Sequence, residues 1–247
     1  MISQNIQIHE TAFPTVAQDV VLASPAANKQ LVVHSVSAYN AGERATDVGL
    51  GVRYAKQAWK LWTLASGTAQ DETETIQAGQ AITLFTTAND DGFLVQARDR
   101  FSLVSLTLSQ AEAGSPAYVY EYWNGSSWAA LTLRNEPKYD QAGSLGIAFA
   151  PPPDWMPGSG TLVDDFSLSN PGYCIRVTAG TAPSQDVRAS QAAVSRLWAY
   201  RQVPGKATLL VDFIDRPVML DAEEVVQAFF ADANALNSVE VCYQVGG

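Results

Sequence analysis

The sequence is poor in the residues that usually carry catalysis and metal binding. It has two histidines, His9 and His34, and two cysteines, Cys174 and Cys242, among 247 residues. It contains neither an H-E-x-x-H motif nor a G-x-x-x-x-G-K-[ST] motif. We therefore expect a protein that is not an enzyme, with no catalytic residues, no metal and no cofactor. His34 lies in an apolar run and is expected to be a satisfied core or interface histidine.

The cysteines are too few and too far apart for a disulfide framework, and they lack the further ligands of a structural zinc site. Two buried, reduced thiols are the expectation. Asp164 and Asp165 have no histidine or basic residue at metal-ligand spacing, which is typical of a solvated loop. One catalytic alternative stays open, because Glu121, Asp154, Asp164 and Asp165 could converge as paired carboxylates for glycoside hydrolysis.

The sequence also lacks basic charge and long apolar runs. Fifteen lysines and arginines against twenty-five acidic residues give a net charge of -10, which argues against nucleic acid or an anionic membrane surface as a partner. The first ten residues have no signal-peptide pattern, and no run reaches the roughly 18 apolar residues of a membrane-spanning helix. We expect synthesis in the cytoplasm and no membrane association.

Short runs rich in Val, Thr, Tyr, Phe and Leu alternate with Gly, Asn, Asp and Pro, which predicts an all-β protein. The first six predicted strands are 18–23, 30–39, 46–54, 81–86, 92–97 and 101–108. They predict an N-terminal β-sandwich over 1–112. Asp91-Gly92 is typical of a hairpin turn; a calcium loop is an alternative, although too few carboxylates stand nearby in register.

A small, polar, proline-containing stretch at 111–116 predicts a domain boundary. It would separate the sandwich from an aromatic-rich β module over 113–183, with a linker and C-terminal β segment over 184–247. Within that last part, 184–198 could be a short helix or a return linker. Residues 219–234 have a helix-like start at Asp221 but echo 75–90, so a strand is favoured over a helix. The C-terminal segment is expected to pack on, or complete, a sandwich.

Two tryptophans flank a turn-forming pair in the stretch EYWNGSSWAAL, residues 121–131. A hairpin about Asn124-Gly125 places Trp123 and Trp128 on one face by strand alternation. Val119 and Glu121 join them there, whereas the core face carries Tyr118, Tyr120, Tyr122, Ala129, Leu131 and Leu133. Two indoles approach the apolar area that a monomer rarely leaves bare. The PPPDW loop with Trp155, a neighbouring subunit or a stacked sugar ring could cover them. The candidate binding or interface residues are Trp123, Trp128, Trp155, Asn124 and Gly125.

Two groups of sequence motifs are similar to those of a known class of protein. Residues 1–112 contain VVLASPAANKQLVVHSVSAYNAG, TIQAGQAITLF and GFLVQARDRFSLVSLTLSQ. They look like a β-sandwich module common in structural proteins of tailed bacteriophages. The second module is similar to another phage pattern, with Tyr-Trp-Asn-Gly at 122–125, a second tryptophan at Trp128, a Phe…Pro…Trp stretch at 149–155 (FAPPPDW) and Gly-Tyr-x-Ile-Arg at 172–176. That last motif more often carries Trp where this chain has Cys174, so no role is transferred to that position.

The resemblance implies a virion protein but not its place in the particle. A capsid decoration or cement protein, a symmetric homo-oligomer with a trimer expected before a dimer, is favoured because the chain is compact and has no long fibrous repeat. Its partners would be further copies of itself and the major capsid protein or other virion proteins. The alternatives are a neck or tail component and a receptor-binding, carbohydrate-binding module with glycans as ligands.

Overall fold

The computed structural model describes the backbone of residues 6–12, 20–23, 30–163, 166–213, 218–220, 224–230 and 238–246. Side chains are described within 31–158, 171–213, 218–220, 224–228 and 241–242. The following statements concern these residues.

The described chain is almost entirely β-strand, which confirms the predicted all-β class. The strands of the N-terminal half are β1 Ile6–Ala12, β2 Val20–Ala23, β3 Gln30–Asn40, β4 Thr46–Arg53, β5 Trp59–Ala65, β6 Thr68–Asp71, β7 Ile82–Phe85, β8 Gly92–Ala97, β9 Leu103–Gln110 and β10 Ala117–Trp123. Those that follow are β11 Trp128–Ala130, β12 Gly143–Ala148, β13 Gly158–Val163, β14 Phe166–Thr181, β15 Val187–Val203, β16 Ala207–Asp212, β17 Val218–Leu220, β18 Val225–Phe230 and β19 Ser238–Gly246. A 3-10 turn, Lys56–Ala58, and a short helix α1, Thr73–Gln77, complete the elements.

The chain forms two compact, β-sandwich-like units. The terminal unit comprises residues 1–55 and 195–247, and the inserted unit comprises 56–194. The chain passes from one unit to the other at residues 55–56 and again within β15, at 194–195.

The C-terminal segment completes the terminal unit. One sheet has the order β1-β19-β3-β16, and β17 also pairs with β3; the other strands, from the second half of β15, follow the order β15-β4-β18-β2. Strand β19 is antiparallel to β3, with Val241 opposite Val36. The apolar side chains buried here include Val33, Val36, Ala38, Val48, Leu50, Val52, Val226, Ala228 and Val241. The prediction that the C-terminal β segment packs on, or completes, a sandwich is therefore confirmed.

The inserted unit contains the aromatic hairpin. Its larger sheet has the order β11-β10-β14-β8-β5-β6, with β13 also paired to β14. Strands β12, β9 and the first half of β15 form its other layer, where β7 also pairs with β15. The buried side chains include Leu61, Phe85, Phe93, Val95, Phe101, Leu103, Ile147, Phe149, Ile175 and Val177.

The units are divided differently from the predicted domains. The predicted boundary at 111–116 lies inside the inserted unit, where strands from both sides of it are paired: Val95 lies opposite Ile175, and Leu106 lies opposite Leu145. Backbone hydrogen bonds also anchor the stretch, from Glu112 N to Tyr139 O at 2.7 Å and from Ser184 N to Ala113 O at 2.8 Å. A stretch of small, polar residues predicts a loop. The unit to which the loop belongs depends instead on pairing between strands that are far apart in sequence.

Three local predictions can be compared with the structure. Residues 187–203 are strand β15, so most of the stretch 184–198 is neither helix nor plain linker. Strands β17 and β18 occupy the described part of 219–234, which favours the strand interpretation over the helix; Asp221 lies outside the described residues. A turn does occur at Asn89–Asp90, just before the predicted Asp91-Gly92, but it is not a hairpin, because β7 pairs with β15 whereas β8 pairs with β5 and β14.

The carboxylate of Asp91 is used to hold that turn. It accepts a 2.9 Å hydrogen bond from the Ser66 backbone N–H and another from the Thr86 hydroxyl, and Asp91 is almost fully buried. The described residues contain no group of three or more side chains that could hold a metal ion. Both oxygens of the Asp91 carboxylate therefore accept hydrogen bonds from protein groups that stabilise the turn.

Candidate functional site

The hairpin at the end of β10 and β11 is built as its sequence predicts. Trp123 lies directly opposite Trp128, and the four residues 124–127 close the loop. The Asn124 side-chain oxygen accepts hydrogen bonds from the backbone N–H groups of Ser126 at 3.0 Å and Ser127 at 2.9 Å. Gly125 has φ +99°, a conformation that favours glycine. Asn124 and Gly125, both candidate site residues, thus have a structural role in shaping the turn.

Strand alternation places the side chains on the predicted faces. Tyr122 is buried on the core side, as is Leu131 just after β11. Trp123 and Trp128 lie on the opposite face of the sheet, together with Glu121, which is paired across the strands with Arg176. The prediction of which hairpin residues share a face is therefore confirmed by the register.

The two indoles contact each other and pack on an apolar cluster. Their ring centroids are 5.6 Å apart with an interplanar angle of 70°, an edge-to-face arrangement. Both rings are half-buried and pack against buried residues from neighbouring strands, namely Trp62, Leu64, Leu94 and Cys174. Because Leu94 and Cys174 are fully buried, the face of the sheet that carries the tryptophans is itself covered by packed side chains. The tryptophan pair obtains part of its cover within the chain.

A partly buried ion pair borders Trp128. The guanidinium of Arg176 donates from Nε to Glu121 Oε2 at 2.6 Å, and its central carbon lies 4.6 Å from the centroid of the Trp128 ring. Both charged side chains are less than a quarter exposed. Such a stack neutralises the carboxylate and covers one face of the indole.

A second carboxylate–cation–indole arrangement lies further along the same sheet. Lys60 Nζ is 3.3 Å from Asp71 and 5.7 Å from the Trp62 ring centroid. Burial opposes ionisation of Asp71, but hydrogen bonds from Thr73 and the nearby Lys60 ammonium outweigh it and lower the pKa of that carboxyl. The sequence analysis missed this pattern because it predicted no strands between residues 54 and 81, where the consecutive strands β5 and β6 bring these residues together.

Trp155 is a core residue. Its side chain is fully buried, and its Nε1–H donates to the Cys174 carbonyl at 3.1 Å. Ring centroids of Phe101, Tyr173 and Phe149 lie 5.0, 5.4 and 5.8 Å away. Trp155 was predicted as a candidate contact residue, but its indole is fully buried and has no surface left for a partner. The loop that carries it reaches the hairpin instead through Met156, whose N–H donates to the Trp123 carbonyl at 3.2 Å.

Three of the segments that carry the phage resemblance, all from the second module, meet around Trp155. Segment 149–155 contributes Phe149 and Trp155 itself, segment 172–176 contributes Tyr173 and the Cys174 carbonyl, and segment 122–125 contributes Tyr122. The Tyr122 hydroxyl also donates to Asp154 at 2.8 Å. One or two residues of each of these motifs therefore pack together in the core around Trp155.

The carboxylates suggested for glycoside hydrolysis do not converge where they are described. Glu121 is paired with Arg176 on one face of the sheet, whereas Asp154 binds the hydroxyl of Tyr122, whose side chain points to the other face. Asp164 and Asp165 lie outside the described residues. Nothing in the described geometry therefore joins these two carboxylates in one site.

The histidines add no catalytic arrangement to the described chain. The side chain of His9 lies outside the described part, although its backbone belongs to β1. Nε2 of His34 is buried, and no described group forms a hydrogen bond with it. The expectation that His34 is satisfied is thus not met among the described residues.

A tyrosine cluster at the other end of the hairpin was not anticipated. Tyr118 contacts Phe85 and Tyr139 at ring-centroid distances of 4.6 and 4.5 Å, and its hydroxyl donates to the Glu112 carboxylate. Burial raises the pKa of Tyr120 to about 12, and burial reinforced by Glu112 raises that of Tyr118 well above its ordinary value. The sequence shows tyrosines at alternate positions of β10, but their partners in the cluster come from other segments and could not be predicted.

Comparison with known proteins adds no assignment. No protein-family model matches the chain, and no curated protein matches it. Within the described residues, no helix is long and apolar enough to cross a membrane.

Proposed function

We propose that this chain is a structural, non-catalytic component of a tailed-phage virion, namely a capsid decoration protein that stabilises the shell. The observation that supports this most is that three of the segments that carry the resemblance, 122–125, 149–155 and 172–176, meet around Trp155. Residues that match a pattern only by chance are not expected to pack in one core. Residues that define a fold are expected to do so, because the fold depends on their packing against one another.

The tryptophan hairpin supports a contact role. Trp123 and Trp128 are only half-buried, and Met156, next to Gly125, is about half exposed at 51%. Glu121 is held by Arg176, so the surroundings of the indoles carry no unpaired carboxylate from that strand. Aromatic side chains beside a paired arginine are typical of the centre of protein interfaces.

The decoration role includes a closed homo-oligomer, with a trimer expected before a dimer, and the major capsid protein as its partner. Threefold positions of a capsid lattice allow one trimer to bind its neighbours equivalently. Light scattering of the purified chain measures its oligomeric state. A mass of three times 26.5 kDa supports it, and a monomer at all concentrations contradicts self-assembly in solution.

Location and copy number in the virion test the proposal as a whole. Quantitative mass spectrometry of purified particles should give an abundance comparable with that of the capsid protein, and cryo-electron microscopy should place the chain on the shell. A few copies at one vertex would indicate a neck or tail component. Absence from the particle would refute a virion role.

A surface variant tests whether the hairpin is the contact. Met156→Asp places a charge beside Gly125 at an exposed position, so we expect a folded protein that binds capsids poorly. Met219→Asp is the matched control, because Met219 is similarly exposed, at 57%, but belongs to the terminal unit. Equal binding by both variants and the unmodified chain would remove the hairpin from the interface.

The half-exposed indoles also favour a second candidate, a carbohydrate-binding module at the virion periphery. Indole faces stack on sugar rings, and the Glu121–Arg176 pair beside Trp128 could exchange hydrogen bonds with hydroxyl groups. This role predicts glycan binding that Trp128→Ala abolishes while capsid attachment is unaffected. The decoration role predicts the reverse.

A further inference from the structure

We infer that Asn124 is a site of spontaneous deamidation, a modification that requires only water and the turn of the tryptophan hairpin. The Asn124 carboxamide becomes the carboxylate of aspartate or isoaspartate, which places a negative charge in the loop that joins Trp123 and Trp128. This chemistry goes beyond the decoration role and does not depend on it. Only its effect on capsid attachment rests on the proposed contact role of the hairpin.

The sequence supplies the necessary pair of residues once. Asn124-Gly125 is the single Asn-Gly step in the chain. In such a step the backbone nitrogen of the glycine can attack Cγ of the asparagine, because the two atoms are held close within one short segment and close a five-membered ring. Glycine has no Cβ to obstruct the approach, and it adopts backbone conformations that other residues rarely reach.

The turn polarises the carbonyl group that would be attacked. Asn124 Oδ1 accepts hydrogen bonds from Ser126 N at 3.0 Å, Ser126 Oγ at 3.0 Å and Ser127 N at 2.9 Å. Negative charge develops on this oxygen when a nucleophile adds to Cγ, and donors that already point at the oxygen stabilise that charge. The three donors therefore form a small oxyanion hole for the tetrahedral intermediate.

The nucleophile and the solvent can both reach the site. Within the described residues, no group accepts a hydrogen bond from the Gly125 N–H, so this proton can be lost to a base from solvent. Residues 125–127 are exposed. Water can therefore reach the ring after it has closed.

The reaction balances in two steps, without an oxidant or a reductant. In the first step a bond forms between Gly125 N and Asn124 Cγ, the bond from Cγ to Nδ2 breaks, and the amide proton leaves with that nitrogen as ammonia. In the second step water adds to one of the two carbonyl groups of the cyclic imide and reopens the ring. Opening on one side gives aspartate. Opening on the other gives isoaspartate, in which the main chain passes through the former side chain.

The two products affect the turn differently. An aspartate at 124 keeps oxygen acceptors for Ser126 N and Ser127 N, so the turn is retained with one added negative charge. Isoaspartate lengthens the main chain by one methylene at the position where Asn124 N donates to Ser127 O at 3.1 Å. This insertion disturbs the direct pairing of Trp123 with Trp128 beside the loop.

Peptide mapping by mass spectrometry during incubation of the folded chain at mildly alkaline pH tests the inference. We expect conversion at Asn124 ahead of Asn135, whose carboxamide is also held, by Gly146 O and Ala148 N, but which precedes Glu136 instead of a glycine. The rate should rise with pH, because loss of the amide proton creates the nucleophile. Labelling by an isoaspartyl methyltransferase measures the isoaspartate fraction.

A serine variant tests whether the turn assists the reaction. Ser126→Ala removes one donor to Asn124 Oδ1 and should slow conversion in the folded chain roughly two- to tenfold, the effect of one hydrogen bond of ordinary net strength. Thr132→Ala is the matched control, because it removes an exposed hydroxyl from the same unit outside the turn and should not change the rate. In denaturant both variants should react like the unsubstituted chain, because the turn is then absent.

The inference is overturned if Asn124 stays an amide in the folded chain, if Asn135 converts as fast, or if Ser126→Ala reacts at the unsubstituted rate. Capsid attachment is measured separately with Asn124→Asp, which carries the charge of the product. If the hairpin is the contact, this variant should bind capsids less well than the unsubstituted chain. Conversion of Asn124 together with unchanged attachment would support the modification site and contradict the contact role, so the two failures give different results.

Discussion

The indole N–H of Trp155 donates to the backbone carbonyl of Cys174 over 3.1 Å, and this contact ties a proline-rich loop to the middle of strand β14. Both residues are fully buried. Two further long-range hydrogen bonds hold the loop: the Arg100 guanidinium donates to the Trp155 carbonyl at 2.8 Å, and the Tyr122 hydroxyl donates to Asp154 at 2.8 Å. The Trp155 side chain adds to these bonds because it fills the core and satisfies a buried acceptor.

The first prediction is that Trp155→Ala is severely destabilising. Replacement of a fully buried tryptophan removes transfer free energy and leaves a cavity, so the free energy of unfolding should fall by about 3 to 5 kcal/mol. Chemical denaturation followed by circular dichroism measures the change. Met156→Ala is the control, because that exposed neighbour should cost no more than about 0.5 kcal/mol. Equal effects of the two variants would contradict the assignment of Trp155 to the core.

The second prediction concerns the hairpin indoles, which are half-buried. Trp123→Ala and Trp128→Ala should each lower the free energy of unfolding by about 1 to 3 kcal/mol, less than Trp155→Ala, because less apolar surface is withdrawn from water. A double-mutant cycle should give a coupling of about 0.5 to 1.5 kcal/mol for the edge-to-face pair.

The outcome also separates the two candidate roles of the pair. Loss of capsid attachment in a folded variant supports an interface. Wild-type-like unfolding together with lost glycan binding supports the carbohydrate-binding role and refutes structural packing.

The third prediction is that the two thiols differ in reactivity. Both cysteines are unpaired, Cys174 buried and Cys242 half-buried, and burial raises the pKa of the Cys174 thiol to about 12. At about pH 8, where a free thiol is partly ionised, a thiol reagent should label Cys242 first and leave Cys174 unreacted until the protein unfolds. Cys242→Ser identifies which thiol reacts. A count of no thiols in non-reducing denaturant would mean a disulfide and would contradict the structure.

The fourth prediction is a loss of stability at high pH. In the unfolded chain a tyrosine titrates at about 10, whereas burial raises the pKa of Tyr120 to about 12 and that of Tyr139 well above its ordinary value. Because the folded state binds these protons more tightly, its stability is complete below pH 10 and falls as the pH rises through 10 to 12. Tyrosinate absorbance should therefore show late-titrating tyrosines that ionise only as the fold is lost. Tyr139→Phe should lessen this pH dependence, and unchanged unfolding across that range would contradict it.

Much of the inserted unit's hairpin could be predicted from residues 118–133. Alternation places Tyr122 inward and Trp123 outward, because successive side chains in a strand point to opposite faces. Asn124 and Gly125 fix the turn by their own backbone preferences. These are local effects, acting over a few residues, so no knowledge of the rest of the chain is needed.

What covers each face could not be predicted in this way. Trp62, Leu94 and Cys174 reach the outer face of the hairpin from strands far away in sequence. Trp155 points into the core, although its loop was one of three candidates for covering the outer indoles. A turn preference likewise marked Asp91-Gly92, but the flanking strands pair with other partners. Local chemistry sets where the chain bends and which side chains alternate.

The division into units shows the same limit. The all-β class, the turn residues and the strand faces follow from the amino-acid sequence, because they rest on backbone preference and a period of two. The joining of residues 1–55 with 195–247, and the closure of 56–194 around Trp155, rest on hydrogen bonds and apolar contacts between distant segments. Many strands of similar composition could form such pairs, and only the packing of the complete chain selects among them.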